Sequence, residues 1–289
     1  MATQPIDAER TRDEQRAEWR AAAPGWIDRR QEVSEPSRSI TEGLIAAAGI
    51  SPGQRVLDLA CGVGDPAFVI AGIVGDRGTV VGLDLTREMV DGARRWAQEH
   101  DIDNVEFRTI SSELDLGVPD AAFDRAICRH GLMYMPDPSS ALREIHRALK
   151  PAGRVAVSTW GRPERGPFLM VPMQIILRHV QLPPPDPTAP SPFALPTAEA
   201  LESALTSAGF AEVETDTFDT AAIAADSPEA FWDLVAEMAG PVVALLASLP
   251  EVTRAAIRDD AIQTLASMCP DGPVSLSGEA VIASGVKLN

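Results

Sequence analysis

A short segment in the first quarter of the chain combines a strand, a glycine turn and a helix start. The mostly apolar residues 56–59 predict a buried strand. Gly62 and Gly64 follow, where the backbone turns sharply or lets a ligand approach closely. Asp65 and Pro66 predict a helix that begins with a carboxylate cap and a proline in its first turn. In this order the three elements form the nucleotide-binding corner of an open α/β sheet.

Two classes of nucleotide fit this corner. Residues 62–67 satisfy the pattern G-x-G-x-x-A of dinucleotide sites, and Asp84 lies 20 residues after Gly64. A dinucleotide, however, places its anionic pyrophosphate at the helix N-terminus, where Asp65 would occupy the backbone N–H groups and repel it. Asp58, at the strand end, is also poorly placed for an anion. Both acids suit the sulfonium and ammonium groups of S-adenosylmethionine better, and a nicotinamide cofactor stays as the rival.

The segment resembles motif I of the class I S-adenosylmethionine-dependent methyltransferases, which reads (Asp or Glu)-x-Gly-x-Gly-x-Gly. Ala60 stands where the motif has its first glycine, and we expect Ala60 to keep a negative φ. Residues 142–154 resemble the post-motif of the same superfamily, where a helix stops at a proline and a glycine. The resemblance is greatest to the ubiquinone/menaquinone C-methyltransferase-like group of small-molecule enzymes, and it covers residues 40–161.

The resemblance implies an S-adenosylmethionine site at the ends of the first strands. The implied positions are Asp58, Ala60, Gly62 and Gly64 for the methionine portion, Asp84 for the ribose, and Leu85, Met89, Ser111 and Ser112 along the adenosine. The family usually has an acid after the third strand, where this chain has the two serines. Because neutral hydrogen bonds are about half as strong as charge-assisted ones, we expect weaker recognition of the adenine.

The fold implied by the resemblance is a Rossmann-like α/β sheet of seven strands with helices on both faces. Its last strand runs antiparallel between the fifth and the sixth. The strands are predicted at 56–59, 79–84, 105–110, 123–128, 154–159, 213–218 and 279–286.

We divide the chain into three parts. Residues 1–50 are predicted to form a helical lid that carries Trp19 and Trp26. Residues 51–161 form the cofactor-binding core, and residues 162–289 add the rest of the sheet with helices of a substrate cap at 162–195 and 225–268. The two tryptophans suit a lid over the site and a merely docked helix equally well.

The segment after the fourth strand carries the candidate catalytic residues, because this strand end faces the methyl group in the family. His130 is the candidate general base, since its ordinary pKa of about 6.5 suits a phenol or enol; the alternative is a wall residue beside a reaction that works by proximity alone. Arg129 is predicted to orient the cofactor carboxylate or a substrate oxygen, or else to pair with a loop acid. Trp26, Tyr134 and Trp160 are the predicted substrate contacts.

Composition limits the partners. The net charge of −17 and the pI near 4.6 oppose a nucleic-acid substrate and an anionic membrane surface. No apolar stretch approaches the roughly 20 residues of a membrane-spanning helix, so we expect no membrane insertion and a cytoplasmic protein. Three cysteines and four scattered histidines give no metal-binding spacing. The sequence leaves the oligomeric state open, with a homodimer among the alternatives.

We therefore expect an enzyme that transfers a methyl group from S-adenosylmethionine to carbon or oxygen of a small acceptor. A quinone, a phenol or a polyketide-like natural product would suit the apolar cap. The rival from another class keeps the fold without methyl transfer, as a methyltransferase-like cyclase or an S-adenosylmethionine-binding protein, since fold does not fix chemistry.

Overall fold

The computed structural model describes residues 7–184, 186, 188–270 and 272–288, and for Val33 it describes the backbone only. The first six residues of the predicted lid lie outside this range. Positions 185 and 187, within the predicted cap segment 162–195, also lie outside it.

The described chain forms one sheet of seven strands in the order β3-β2-β1-β4-β5-β7-β6. Strands β1 to β5 are parallel to one another, and β7 runs antiparallel between β5 and β6. The predicted fold class and the predicted place of the last strand are therefore confirmed. The strands are β1 (Arg55–Leu59), β2 (Thr79–Asp84), β3 (Val105–Thr109), β4 (Phe123–Arg129), β5 (Leu149–Trp160), β6 (Ala211–Ala225) and β7 (Val274–Val286).

Eleven α-helices accompany the sheet in the described residues. They are α1 (Ala8–Asp28), α2 (Arg30–Ser34), α3 (Arg38–Ala48), α4 (Asp65–Val74), α5 (Arg87–Glu99), α6 (Pro138–Ala148), α7 (Pro167–His179), α8 (Ala198–Ser207), α9 (Pro228–Met238), α10 (Gly240–Ala247) and α11 (Glu251–Met268). Side chains cap several of them: Asp137, Thr197 and Ser227 each accept a hydrogen bond from a backbone N–H in the first turn.

Three of the four hydrophobic clusters in the described residues follow from this layering. One fills the sheet face under α6 and α8, and a second fills the opposite face under α3, α4 and α5. The third is a separate core formed by α7, α9, α10 and α11 with the first part of β7. We call α7, α9, α10 and α11 the cap, because they stand at the end of the sheet where β5 finishes. The core of the cap is distinct from the two clusters on the faces of the sheet. The cap contacts the sheet through α7 and α9, which pack against β7 and β6.

Helix α1 connects the sheet and the cap, since it packs against α5 on one side and against α9 and α10 on the other. The indole Nε1 of Trp26 donates a hydrogen bond of 2.8 Å to the carbonyl oxygen of Met238 in α9. The contact is close at Gly25, where an added Cβ would lie 2.4 Å from the carbonyl oxygen of Glu237.

No single helix in the described part of the chain is long and apolar enough to cross a membrane. Only α9 and α10 together reach that length and composition, and they meet at an angle of 89°. The apolar faces of both helices belong to the core of the cap.

The glycine at position 25 tests the docking of α1. Gly25→Ala should lower the free energy of unfolding by about 1–3 kcal/mol, because the new methyl group overlaps the backbone of α9. Gly72→Ala is the matched control within α4: nothing lies within 4 Å of its Cβ position, and alanine there should stabilise by up to about 1 kcal/mol. Thermal unfolding of both variants measures the difference, and equal melting temperatures would contradict the described docking.

Candidate active site

A cavity of about 840 Å³ lies at the carboxyl ends of β1, β2, β4 and β5, between these strand ends, α1 and the cap. Ten of the residues predicted for the site line it: Trp26, Ala60, Gly62, Asp84, Leu85, Met89, Arg129, His130, Tyr134 and Trp160. Asp58, Gly64, Ser111 and Ser112 do not line it. The structure thus brings together strand ends that are far apart in the sequence.

The loop after β1 departs from the prediction at Ala60. Its φ is +59°, in the left-handed region, so the expected negative φ is wrong. This conformation costs an alanine about 1–2 kcal/mol. Space for the methyl group comes from Gly131 in the loop after β4, where an added Cβ would lie only 2.3 Å from the Cβ of Ala60. The bare backbone at Gly131 therefore accommodates the side chain that replaces the motif glycine.

The start of α4 also differs from the prediction. Gly64 is the N-cap with φ +83°, and Asp65 is the first helical residue without a capping hydrogen bond. The Asp65 carboxylate instead accepts hydrogen bonds from Ser34 and from Arg129 Nη1, the latter at 2.7 Å. Burial alone would raise the pKa of Asp65, but the charge of Arg129 and these hydrogen bonds lower it overall. Asp65 is thus ionised and paired, so its charge is already balanced.

Arg129 therefore pairs with a loop acid, which was the alternative prediction for it. Its Nη1 also donates to Thr41 Oγ1 at 2.8 Å. Nε and Nη2 of Arg129 have no hydrogen-bond partner among the described residues, while the side chain lines the cavity. The guanidinium can consequently hold Asp65 and still offer two donors to a bound anionic group.

Asp58 lies beneath the loop and is fully buried, which corrects the prediction that it contacts the cofactor directly. Neither carboxylate oxygen has a hydrogen-bond partner of good geometry in the described structure, although the backbone N–H of Ala67 is near enough to lower the pKa of Asp58 slightly. Burial raises the pKa of Asp58 to about 8, with smaller contributions from Asp84 and Asp65 against the lowering effect of Arg129. Asp58 is mostly protonated at neutral pH. The argument that two free carboxylates select a cationic ligand therefore does not hold in its predicted form.

Asp84 occupies the place predicted for it, at the end of β2 and in the wall of the cavity. Its two carboxylate oxygens accept hydrogen bonds from the backbone N–H groups of Gly62 at 2.9 Å and Thr86 at 2.8 Å. Burial raises the pKa of Asp84, although these hydrogen bonds act in the opposite direction. The carboxylate fixes the loop after β1 against the end of β2 and keeps unused lone pairs for a ligand.

The N-terminal helices reach the same loop through Arg30. Its Nη1 donates to the carbonyl oxygen of Val63 at 2.6 Å, and its guanidinium lies between the rings of Phe68 and Trp96, 4.6 and 4.5 Å from their centroids. Burial lowers the pKa of Arg30 to about 10, so the group stays charged at neutral pH. No local sequence pattern predicts this contact, because Arg30 and its partners belong to separate elements.

In the segment after β3, the residue that lines the cavity is Glu113 and neither of the two serines predicted to lie along the adenine. Ser111 is exposed and lines a neighbouring depression, where its carbonyl oxygen accepts a hydrogen bond from Arg16 at 2.9 Å. Ser112 Oγ accepts from the backbone of Leu114 at 3.3 Å. The residue that enters the cavity wall is Glu113, whose carboxylate binds Arg12 of α1 through two hydrogen bonds of 2.7 Å. An acid directly after the two serines was the available signal, and the prediction passed over it.

His130 lines the cavity, but not with the properties predicted for it. Its ring stacks on Trp160 with centroids 4.1 Å apart and planes at 13°. Both ring nitrogens are buried and have no hydrogen-bond partner in the described structure. Burial, together with the charge of Arg129, lowers the pKa of His130 to about 3. The pKa of His130 thus lies below its ordinary value of about 6.5, and the imidazole is neutral at neutral pH.

Aromatic side chains close the cavity from three directions. Trp19 of α1 meets Tyr134 edge to face at 5.1 Å and Trp26 at 6.3 Å. Trp160, at the end of β5, contacts Phe168 of α7 with centroids 4.5 Å apart. The predicted substrate contacts Trp26, Tyr134 and Trp160 thus share one cavity, and α1 covers part of it.

The cap side of the cavity is entirely apolar in the side chains described. It is lined by Pro163, Phe168, Leu169, Met170, Pro172, Met173, Leu177, Leu182, Pro183, Pro184, Pro192, Phe193, Ala222, Ile223, Leu234, Val235, Met238, Ala239, Pro241 and Val242. Six of the eight methionines of the chain line the cavity as a whole. Within the described ranges, no group of three or more His, Cys, Asp or Glu side chains is placed to hold a metal ion.

Comparison with known proteins agrees with this arrangement. Residues 50–178 match the family described as methyltransferase domain. The match covers 129 of the 289 residues, and it agrees with the predicted resemblance and with S-adenosylmethionine as the predicted cofactor.

Two curated methyltransferases are similar to part of this chain. The 2-phytyl-1,4-naphtoquinone methyltransferase of Synechococcus elongatus is 41% identical over 116 residues, which are 39% of this chain and 48% of that protein. The 27-O-demethylrifamycin SV methyltransferase of Amycolatopsis mediterranei is 30% identical over 147 residues, 51% of this chain and 50% of that protein. The chain thus spans about half the length of these curated relatives.

Solved structures share the fold of the methyltransferase domain. The YcgJ protein of Bacillus subtilis superposes with a TM-score of 0.57 at 20% identity, over 87% of this chain and 99% of that one. The likeness extends through most of the chain, beyond the residues matched by the family.

The buried Asp58 predicts how stability depends on pH. Because the folded protein holds the Asp58 proton up to about pH 8 and an unfolded chain releases it near pH 4, stability should fall between these values as pH rises. The full slope of one retained proton is about 1.4 kcal/mol per pH unit. Asp58→Asn should flatten the slope and raise the free energy of unfolding at pH 8 without cofactor.

Urea unfolding of the wild type and of Asp58→Asn at pH 5, 6, 7 and 8 measures this slope. Asp91→Asn, whose carboxylate lies on the half-exposed face of α5, is the control and should leave the slope unchanged. Parallel stability curves for wild type and Asp58→Asn would show that the Asp58 side chain is ionised or hydrated in the folded protein.

Proposed function

We propose that this protein transfers the methyl group of S-adenosylmethionine to a carbon or oxygen atom of a small, largely apolar acceptor. The observation that carries the proposal is one cavity with two unlike ends. At one end are the glycine loop and Asp84, which belong to the matched methyltransferase domain. At the other end is the wholly apolar wall of the cap. Such a cavity suits a polar cofactor beside an apolar acceptor.

The residues present fit S-adenosylmethionine. Asp84 keeps lone pairs that can accept hydrogen bonds from both ribose hydroxyls, while Leu85 and Met89 offer apolar surface to the adenine. The free Nε and Nη2 of Arg129 suit the methionine carboxylate. Gly62, two positions after Ala60, has no side chain, so its backbone in the cavity wall can contact the ligand directly. When bound, the cofactor supplies a methyl group on a positively charged sulfur, which is an excellent leaving group.

The chain contributes mainly alignment to the transfer. Trp160, Tyr134 and Trp26 offer flat surfaces that would hold an acceptor ring in one orientation. His130 is neutral and so ready to accept a proton, but a base with a pKa of about 3 gains little by taking one. We therefore propose that His130 shapes the wall and that proximity provides most of the rate.

The acceptor is proposed from the cap and from the relatives. The names of these relatives refer to a naphthoquinone and to a rifamycin. A quinol, a phenol or a polyketide-like compound would place a ring beside Trp160.

Ligand-dependent thermal stability tests the cofactor. S-adenosylmethionine or S-adenosylhomocysteine at 100 times its Kd should stabilise the fold by about 2.7 kcal/mol and raise the melting temperature by several degrees. NADH at the same concentration should have no effect. A shift with NADH alone would overturn the proposal. A shift with S-adenosylmethionine, but no S-adenosylhomocysteine formed with quinols, phenols or polyketide-like acceptors, would favour a cyclase or a binding protein.

Asp84→Ala tests the ribose contact. The change should weaken S-adenosylmethionine binding at least tenfold, about 1.4 kcal/mol, because it removes both ribose acceptors and the anchor of the glycine loop. Calorimetric titration measures the Kd, with Asp91→Ala on the exposed side of α5 as the control. An unchanged affinity would remove Asp84 from the site.

The proposed role of His130 predicts a flat pH profile. With a pKa of about 3, His130 contributes no ionisation to kcat/KM between pH 5.5 and 8. His130→Gln should lower kcat/KM less than tenfold, whereas loss of a general base costs about 10²–10⁴-fold. A limb near pH 6.5 that disappears in His130→Gln would restore the general-base interpretation.

A further inference from the structure

One face of α1 covers the segment that follows β3. Arg12 binds the carboxylate of Glu113 through two hydrogen bonds of 2.7 Å. Arg16, one helical turn further, donates to the carbonyl oxygen of Ser111 at 2.9 Å. Gln15 follows Arg12 by three positions and therefore lies on the same side of the helix. Gln15 lines the cavity and is only 9% exposed, so its amide is buried beside this segment.

The cavity has its cofactor end where Gln15 lies. Leu85 and Ile110 line the cavity and also the neighbouring depression that Arg16 borders. Leu85 is one of the two residues for which we propose a contact with the adenine. Gln15 therefore lies at the adenine end of the cavity, whereas the acceptor is expected beside Trp160.

The amide of Gln15 has a partner on one side only. Its Nε2 donates a hydrogen bond of 3.1 Å to Glu18 Oε2, whereas Oε1 is buried and has no partner in the described structure. Because an ionised carboxylate accepts hydrogen bonds and cannot donate them, Glu18 keeps the nitrogen of the amide on its own side. A buried acceptor without a donor is costly, and such atoms in native proteins nearly always have a partner. The missing donor is therefore expected in the cavity.

The side chains after β3 leave the adenine without an acceptor of its own. Neither serine of this segment lines the cavity. Glu113 does line it, but its carboxylate already accepts three hydrogen bonds, two from Arg12 and one of 3.1 Å from the backbone N–H of Asp137. The 6-amino group is the hydrogen-bond donor of the base, so its acceptor is expected from another element.

We propose that Gln15 Oε1 accepts a hydrogen bond from the 6-amino group of the adenine of S-adenosylmethionine, and that Glu18 holds the amide in the orientation that does so. This inference rests on the proposed function. It assigns recognition of the base to α1 and not to the loop after β3. Since a site that is built to bind a donor rejects a ligand lacking it, a purine without the amino group should bind poorly.

Calorimetric titration with S-adenosylhomocysteine, and with its analogue that carries hydrogen in place of the 6-amino group, tests this contact. The wild type should bind the analogue about 5- to 100-fold more weakly, because Oε1 of Gln15 then stays buried and unpaired. Gln15→Met keeps the length of the side chain and removes the oxygen, so it should bind both ligands with nearly equal Kd. The ratio of the two Kd values does not respond to a general shift of α1, which would weaken both ligands alike.

A second analogue tests the part of Glu18. S-inosylhomocysteine carries an oxygen at position 6 and presents an acceptor to Gln15 Oε1, so the wild type should reject it more strongly than the analogue with hydrogen. In Glu18→Ala the amide is free to turn Nε2 toward the ligand, and the discrimination against S-inosylhomocysteine should fall several-fold. Titration at pH 8 keeps Glu18 ionised, although burial raises its pKa. Unchanged discrimination in Glu18→Ala would contradict the part assigned to Glu18.

Gln98→Met is the matched control, because Gln98 is exposed on α5 and does not line the cavity. It should keep the Kd ratio of the wild type. The same ratio in Gln15→Met as in Gln98→Met and the wild type would overturn the inference.

The two proposals fail in different ways. A wild type that binds neither S-adenosylmethionine nor S-adenosylhomocysteine would contradict the proposed function and this inference with it. A wild type that binds S-adenosylhomocysteine and the analogue with hydrogen at position 6 equally well would leave the proposed function intact and overturn only the role of Gln15.

Discussion

The carboxylate of Asp84 holds the site together. It accepts one hydrogen bond from the loop after β1 and one from the turn after β2, so the ends of the two neighbouring strands cannot separate without exposing a buried acid. The loop that it fixes begins with Ala60 in a conformation that alanine disfavours, and such strain persists only where surrounding contacts impose it. The position of α4, of Asp65 and therefore of Arg129 follows from the same loop.

The second half of the site is built by elements that do not belong to the parallel part of the sheet. Helix α1 adds Trp19 and Trp26 and is tied to the sheet by the Arg12–Glu113 pair and to the cap by the Trp26 hydrogen bond. The cap contributes apolar surface from a core of its own. The rigid polar end and the apolar end thus have separate structural supports, which allows the acceptor side to vary while the cofactor side keeps its geometry.

The sheet and most of the predicted residues that line the cavity could be found because their signals are local. Apolar runs, glycines and prolines within residues 56–66 determine a strand, a turn and a helix start, and the resemblance supplied the strand order. The errors concern partners that are distant in the chain. Asp65 pairs with Arg129, 64 positions away, and Glu113 pairs with Arg12, 101 positions away. No short sequence pattern predicts either pair. The same limit applies to Asp58 and His130, whose pKa values depend on complete burial.

The space shared by Ala60 and Gly131 couples the substitutions that these two positions allow. A methyl group fits on the loop after β1 only while the loop after β4 carries none, since the two Cβ atoms would otherwise stand 2.3 Å apart. Each residue alone resembles an ordinary small-residue position, tolerant of a swap between glycine and alanine. Read as a pair, they allow glycine with glycine, alanine with glycine or glycine with alanine, and exclude alanine with alanine. A set of single substitutions would attribute the loss of stability of a Gly131 variant to position 131 alone. The clash that causes the loss also requires Ala60, which lies 71 positions earlier in the chain.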